Sequence, residues 1–366
     1  MNRRKFLKTA GAAGATMGAV GAVAAPAIAQ SAPSIKWRLT SGFPKALDTI
    51  YGGAETIAKY VREMTDGKFE IQTFAAGEIV GGLQSVDAVS NGTVELSNTA
   101  VYYNWGKDPA FGFATAVPFL MSQRAQDSWL IDGGGEKLLN EFLAKHNIIA
   151  FEGGNTGCQM GGWWRKEIKS LADLQGVKFR IGGSGGAVIS KLGVIPQQIA
   201  GGDIYPALER GTIDGAEWVG AYDDEKLGFH KVAKFLYYPG WWEGGAVLHT
   251  CVNLAKWNEL PKSYQAILRA ASSYANTEVT AKYDSRNPAA LKRLLSQGVQ
   301  LRAFPQDVMD AAFKAANDLY TEIAGKNPEF KKLHDAAVAF RNDFYLYNQI
   351  ADFSFDSFMI RARARA

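Results

Sequence analysis

Residues 176–183 read GVKFRIGG. The side chains alternate with the two-residue period of a strand, Val177, Phe179 and Ile181 on one face, Lys178 and Arg180 on the other. A glycine opens the run, and Gly182 and Gly183 close it. Working outward, IKWRLTSGF (35–43) and KFEIQTF (68–74) read as strands. Between them, IYGGAETIAKYVREMTDG (50–67) sets Ile57, Ala58 and Val61 on one helical face, with Gly67 as its C-cap. LQSVDAVSNG (83–92) reads as a helix stopped by glycine. Strands separated by helices build parallel βαβ units, so the fold class is α/β.

Two segments echo each other. VDAVSNGTVELSNTAVYYN (86–104) lies on YPALERGTIDGAEWVGAYD (205–223) without a gap, Gly92 on Gly211, Asn98 on Glu217 and Tyr103 on Tyr222. Each copy reads as helix, Gly-Thr turn, short strand and aromatic loop. Helix–glycine–strand is a common α/β sequence. The alternative, preferred here, is two lobes built alike, each offering strand ends to one crevice, where open α/β sheets bind ligands. The length also exceeds one typical domain. From 261 to 286, Tyr264, Leu268, Ala271, Ala275, Val279 and Tyr283 recur at helical spacing, Pro261 suits a first turn, and Asn287-Pro288 predicts a stop or kink. So long a helix would run from lobe to lobe. The last stretch, 340–366, carries Phe344, Tyr347, Phe353, Phe355 and Phe358, which need a surface, their own body or a second subunit.

The first 29 residues have a basic start with Arg3-Arg4, an Ala/Gly/Val stretch and a small-x-small end at 27–29, the anatomy of a twin-arginine export signal cleaved after Ala29. This predicts a periplasmic mature chain. Arg3, Arg4, Lys5 and Lys8, with no acid among them, account for all of the formal +4, so the mature chain is formally neutral. A neutral surface argues against nucleic acid or anionic membrane as partner. No other segment reads as a membrane span. Cys158 and Cys251 read as buried free thiols, since a chain of this size needs no staple.

Catalytic chemistry has little support. His146, His230, His249 and His334 have no metal-ligand spacing. There is no G-x-S-x-G elbow, and GGSGG (182–186) lacks the lysine of a phosphate loop. Binding is better supported. A guanidinium at a strand end presents a rigid fork that fits a carboxylate, and the glycines after Arg180 would let a ligand or an opposite lobe approach. From pattern alone, an ion pair with an acid such as Asp173 or Glu209 is the commoner fate of such an arginine. Glu217, just beyond a short strand, and Gln159, a neutral oxygen donor, suit a hard cation, although most lone Glu and Gln residues are simply solvated. The pairs Trp163-Trp164, Trp241-Trp242 and Tyr102-Tyr103 read either as cleft walls or as core.

LADLQGVKFRIGG (171–183) followed by LGVIPQQIAGGDIYPALERGTIDGAEW (192–218) resembles the signature region of the DctP-type solute-binding subunits of tripartite ATP-independent periplasmic (TRAP) transporters. The likeness spans nearly all of the mature chain. It implies a bilobal α/β fold with an interlobe cleft, a long lobe-spanning helix and a C-terminal dimerisation helix. On that pattern, 34–157 plus 246–285 form one lobe, 158–245 plus 286–335 the other, and 336–366 a helical tail. Arg180 then clamps the ligand carboxylate. Gln159, Glu217 and the Trp218 carbonyl make the sequence most similar to the branch binding 2-oxo acids such as pyruvate, where these groups hold a metal cation, usually sodium. Tyr102, Tyr103, Asn104 and Phe43 complete the expected ligand contacts. The resemblance implies a permease partner and a homodimer, with no organic cofactor and no catalytic residue. Lactate and C4-dicarboxylates are alternative ligands, though no second basic residue is placed for a second carboxylate. A periplasmic carbohydrate-active enzyme is the rival of another class, and a ligand-binding module of a sensor is a third reading.

Overall fold

A computed structural model describes residues 33–363, so the leader expected at 1–29 lies outside the described residues. The chain builds two sheets. In order it forms β1 (Ile35–Ser41), α1 (Gly52–Met64), β2 (Phe69–Phe74), α2 (Ser85–Ser90), β3 (Leu96–Thr99), α3 (Gln123–Ile131), α4 (Gly135–Leu143) and β4 (Ile148–Asn155). There follow β5 (Trp163–Trp164), β6 (Lys178–Arg180), α5 (Gly183–Ser190), β7 (Ile195–Gln197), α6 (Gly201–Arg210), β8 (Gly215–Ala216), α7 (Ala221–Leu227), β9 (Phe235–Tyr238) and β10 (Val247–Asn253). The chain ends with α8 (Leu254–Glu259), α9 (Lys262–Ser296), β11 (Gln300–Ala303), α10 (Gln306–Ala324), α11 (Pro328–Asn348) and α12 (Asp352–Arg363).

The first sheet runs β2-β1-β3-β10-β4 and the second β11-β9-β5-β8-β6-β7. The two are the same design. β1 is flanked in parallel by β2 and β3, as β6 is by β7 and β8. Beyond β3 an antiparallel strand, β10, pairs with β4, and beyond β8 the antiparallel β5 pairs with β9. The echo in the sequence therefore matches a structural repeat, β1–α1–β2–α2–β3 against β6–α5–β7–α6–β8. Gly92 and Gly211 both turn with positive φ (78° and 74°), a conformation that suits a residue without Cβ. The chain passes between the sheets three times, from β4 to β5, from β9 to β10, and along α9.

Helix α9 buries the expected stripe, Tyr264, Leu268, Ala271, Ala275, Val279 and Tyr283, and continues it with Ala290 and Leu294. Each large side chain buried in such a stripe contributes about 1.5–3 kcal/mol. Of the stop or kink predicted at Asn287-Pro288, the stop does not occur, and the helix runs on to Ser296 with Pro288 inside it. Burial on both sides of the proline outweighs the lost hydrogen bond, and Asn287 is itself engaged, accepting from the Tyr222 N–H at 3.0 Å. At the C-terminal end, α11 docks through Phe330, Leu333 and Ala337, whereas α12 buries nothing. Leu346, Tyr347, Ile350, Phe353, Phe355 and Phe358 are each more than 60% exposed. Cys158 and Cys251 are free thiols; Cys251 is buried, but Cys158 is exposed, against expectation, because it lies in the β4–β5 crossing. Among the described residues no helix is long and apolar enough to cross a membrane.

Candidate functional site

The strand that carries Arg180 is shorter than its pattern, three residues between β7 and β8. Phe179 holds it by stacking on Trp164 at 4.2 Å. Lys178 is exposed as expected, but Arg180 is 1% exposed, because the chain beyond β8 and the ring of Trp218 close over it. Its Nε donates to the Ile199 carbonyl (2.9 Å), and Nη1 donates to the Glu217 carbonyl (2.9 Å) and to the Glu217 carboxylate. Nη2 has no partner. The expected acid partner was Asp173 or Glu209; the structure supplies Glu217. One arm of the fork is thus taken from within, and the other stands ready.

Glu217 follows β8, where its N–H donates to the Arg180 carbonyl (3.0 Å). Its Oε1 also accepts from the Gly182 N–H at 2.8 Å, while Oε2, fully buried, has no partner. Gln159 lies in the β4–β5 crossing. Its amide donates to Thr156 Oγ1 (3.2 Å), and its buried Oε1 has no partner. The Trp218 ring lies 5.2 Å from the Arg180 guanidinium and meets Phe43 edge-on at 6.2 Å. Sequence reasoning missed a second acid, Glu243, buried beside this group; its Oε1 accepts from the Tyr102 hydroxyl at 2.7 Å. It stands in WWEGG (241–245), the kind of aromatic and glycine setting that singled out Glu217.

Electrostatics follow from burial. Desolvation pushes Glu217 up against the pull of Arg180, and pushes Glu243 well up with the Glu217 charge adding to it. Burial works to lower Arg180, but Glu217 and the two tyrosines reverse this and leave it raised. The Tyr103 phenol is pushed up to about 12, chiefly by burial. One guanidinium therefore faces two carboxyl groups in a dry site.

The first sheet supplies the opposite wall. A 3-10 turn, Val101–Asn104, follows β3 and carries Tyr102 and Tyr103. A Cβ on Gly182 would meet the Tyr102 hydroxyl at 2.6 Å, and one on Gly183 (φ 53°) would meet Tyr102 Cδ2 at 2.2 Å. The glycines after Arg180 exist so that these tyrosines can sit down on the strand end. Gln198 ties the same approach, accepting from the Gly183 N–H (3.1 Å) and donating to the Tyr103 carbonyl (3.0 Å). Between the walls lies a small cavity of about 10 Å³, onto which Phe43, Tyr102, Tyr103, Gln159, Arg180 and Trp218 all face. Its remaining lining includes Ile50, Ala246 and Leu248, and Arg180 is its sole cationic side chain among the described residues. Asn104 is not brought there; its amide closes its own turn onto the Val101 carbonyl (3.3 Å). The tryptophan pairs are core: Trp241 stacks on Phe119, Trp242 packs on Phe304, and the Trp163 indole donates to Asp224 (2.8 Å).

Comparison with known proteins bears on this geometry. The pattern of bacterial extracellular solute-binding protein family 7 matches residues 40–327. The chain is 48% identical, over 98% of its length and 99% of the relative's, to the monocarboxylate 2-oxoacid-binding periplasmic protein all3028 of Nostoc sp.. A TRAP transporter solute-binding protein of Bordetella bronchiseptica, a dimer with copurified calcium and picolinate in one active site, superposes with a TM-score of 0.90 at 49% identity, covering 91% of this chain and 99% of that one. A Pseudoalteromonas atlantica protein with bound sodium and pyruvate (TM-score 0.85, 37% identity) and a Colwellia psychrerythraea protein with bound calcium and pyruvate (TM-score 0.85, 35% identity) each match over 88% of this chain and 99% of theirs.

Proposed function

The chain belongs to bacterial extracellular solute-binding protein family 7, and from that membership we propose that it captures a small 2-oxo monocarboxylate such as pyruvate, together with a hard cation, and hands it to a membrane permease. The family and fold are those of extracytoplasmic transport proteins, not enzymes, which removes the carbohydrate-active alternative. The observation that carries the ligand reading is a set of buried, unpartnered atoms: Arg180 Nη2 and Gln159 Oε1 on the lining of one small cavity, and Glu217 Oε2 on the carboxylate paired with Arg180. Buried polar atoms are ordinarily hydrogen-bonded, so three orphans together mark partners that arrive from outside. Nη2 is a donor for a carboxylate, and the two oxygens suit a hard cation. Gln159, Glu217 and the Trp218 carbonyl would hold such an ion. Bound there, it offsets the charge of a ligand carboxylate lying beside Glu217. The apolar remainder of the lining, with no second cation, favours a monocarboxylate over a C4-dicarboxylate.

Relatives that hold pyruvate with sodium and with calcium support the cation and leave two candidates for it. The test is titration calorimetry with pyruvate in sodium, calcium and organic-cation buffers after chelator dialysis. Affinity is expected to depend on the inorganic ion. Equal affinity in all three buffers would remove the ion, and no heat from any 2-oxo acid would remove the ligand class. The proposal includes two lobes, 34–157 plus 246–285 and 158–245 plus 286–335, closing about the crossing segments. It includes 1–29 as a twin-arginine leader, and a homodimer formed through the tail, which the exposed apolar residues of 346–358 support.

A further inference from the structure

Residues 42–51 link β1 to α1 and bring Phe43 and Ile50 to the cavity. The same segment holds a second set of contacts, away from the cavity, with elements of the second sheet. The Thr49 hydroxyl donates to Asp223 at 2.6 Å, and the other oxygen of that carboxylate accepts from the Tyr283 hydroxyl, also at 2.6 Å. All three residues are buried. The neighbouring Asp224 anchors α7 to the second-sheet side, accepting from the Trp163 indole (2.8 Å) and from the N–H groups of Val219 and Gly220 (3.2 Å each). Asp223 is therefore presented by one side and Thr49 by the other. Next to them Asp48 accepts from Lys226, from Arg286 at 2.7 Å and from the Tyr222 hydroxyl at 3.2 Å.

We propose that Asp48 and Thr49, meeting Tyr222, Asp223, Lys226 and Arg286, form a latch that exists only while the two sheets are closed on each other, and that it sets ligand affinity without touching ligand. This rests on the reading of the cavity as a cleft that opens and closes. When the sides part, Asp223 loses the Thr49 hydroxyl and Asp48 loses its cations, and water replaces them. The contacts therefore weight the closed state alone, and apparent affinity scales with the fraction of molecules able to close. Such a latch acts equally on every ligand, whereas a residue in the cavity discriminates between them.

Thr49→Val keeps the shape and removes the hydroxyl. It is expected to raise the pyruvate Kd about tenfold or more, as for a lost hydrogen bond to a charged group. Asp48→Asn, at a half-exposed site, is expected to raise it about two- to fivefold. Both should raise 2-oxobutyrate Kd by the same factor as pyruvate Kd, act through faster release and leave the melting temperature of the ligand-free protein unchanged, and Thr49→Ser should restore affinity. Closure is read independently by pulsed EPR between labels at exposed Gln72 and Lys234 in a Cys158→Ser background. Unchanged Kd in both variants, or factors that differ between the two ligands, overturns the latch. If pyruvate and 2-oxobutyrate leave the wild type unmoved, the ligand reading fails and the label distance of ligand-free protein decides. A short-distance population that Thr49→Val depletes supports the latch; its absence from the wild type, or its survival in the variant, overturns it.

Discussion

Arg180 shows how much one buried side chain is asked to do. It carries a charge in a place where an isolated ion would be costly, and it is held there by Glu217 and two carbonyls. Arg180→Lys is expected to lose pyruvate binding by more than about 2 kcal/mol, because an ammonium cannot hold Ile199 and Glu217 while leaving a directed donor free. Calorimetry with near-wild-type affinity would refute this. Gly183 is as constrained. Gly183→Ala would place a methyl group on Tyr102 in a backbone conformation that L-residues avoid, so affinity should fall more than about tenfold with secondary structure intact by circular dichroism. Away from the cavity, burial and the charge of Asp127 push Glu152 up to about 9. A carboxyl raised on folding binds its proton more tightly in the native state, so its stabilising effect is complete below the unfolded value near 4.5 and is lost as pH climbs toward 9. Glu152→Gln does not titrate, and its melting temperature relative to wild type should therefore rise from pH 5 to pH 8. A flat difference across that range would show that Glu152 is ionised in the folded protein.

Elements were legible where one short pattern decides them. The alternation of 176–183 located β6, and glycine-stopped helices located α1 and α2. The gapless echo of 86–104 in 205–223 foretold two sheets of one design, because both copies turn at a glycine before a strand that pairs in parallel with the first strand of its unit, β3 with β1 and β8 with β6. Of the stop or kink expected in α9, the stop failed because a local rule about proline yielded to burial on both flanks, which no local window contains. The resemblance named Arg180, Gln159 and Glu217 by residue type in order, and the structure places Gln159 on the same cavity as Arg180 and pairs Glu217 with it. Glu243, Gln198 and the contact of Thr49 with Asp223 were not legible, since each depends on segments far apart in the chain meeting in space. Asn104 was drawn in by its neighbours Tyr102 and Tyr103, yet a 3-10 turn sends successive side chains in different directions.

At the scale of the whole molecule, the body and the tail obey different rules. The body buries most of its aromatics, and α12 exposes Phe353, Phe355 and Phe358. Removing residues 349–366 is expected to convert a dimer to a monomer in sedimentation velocity at micromolar concentration, with pyruvate affinity retained because the cavity draws on none of them. A full-length protein that sediments as a monomer would end that idea. The interleaving of the sheets has a consequence for synthesis. β4 has only β10 as its neighbour in the first sheet, and β3 keeps one open edge until β10 arrives. A ribosome that has finished residue 155 has made four of the five strands of that sheet, yet the fifth, 247–253, is still almost a hundred codons away. The nascent chain carries bare strand edges through that interval, while the second sheet begins to form from the intervening residues and waits in turn for 300–303. Completion of the two sheets is timed by the last strand to leave the ribosome, 300–303, and not by the first.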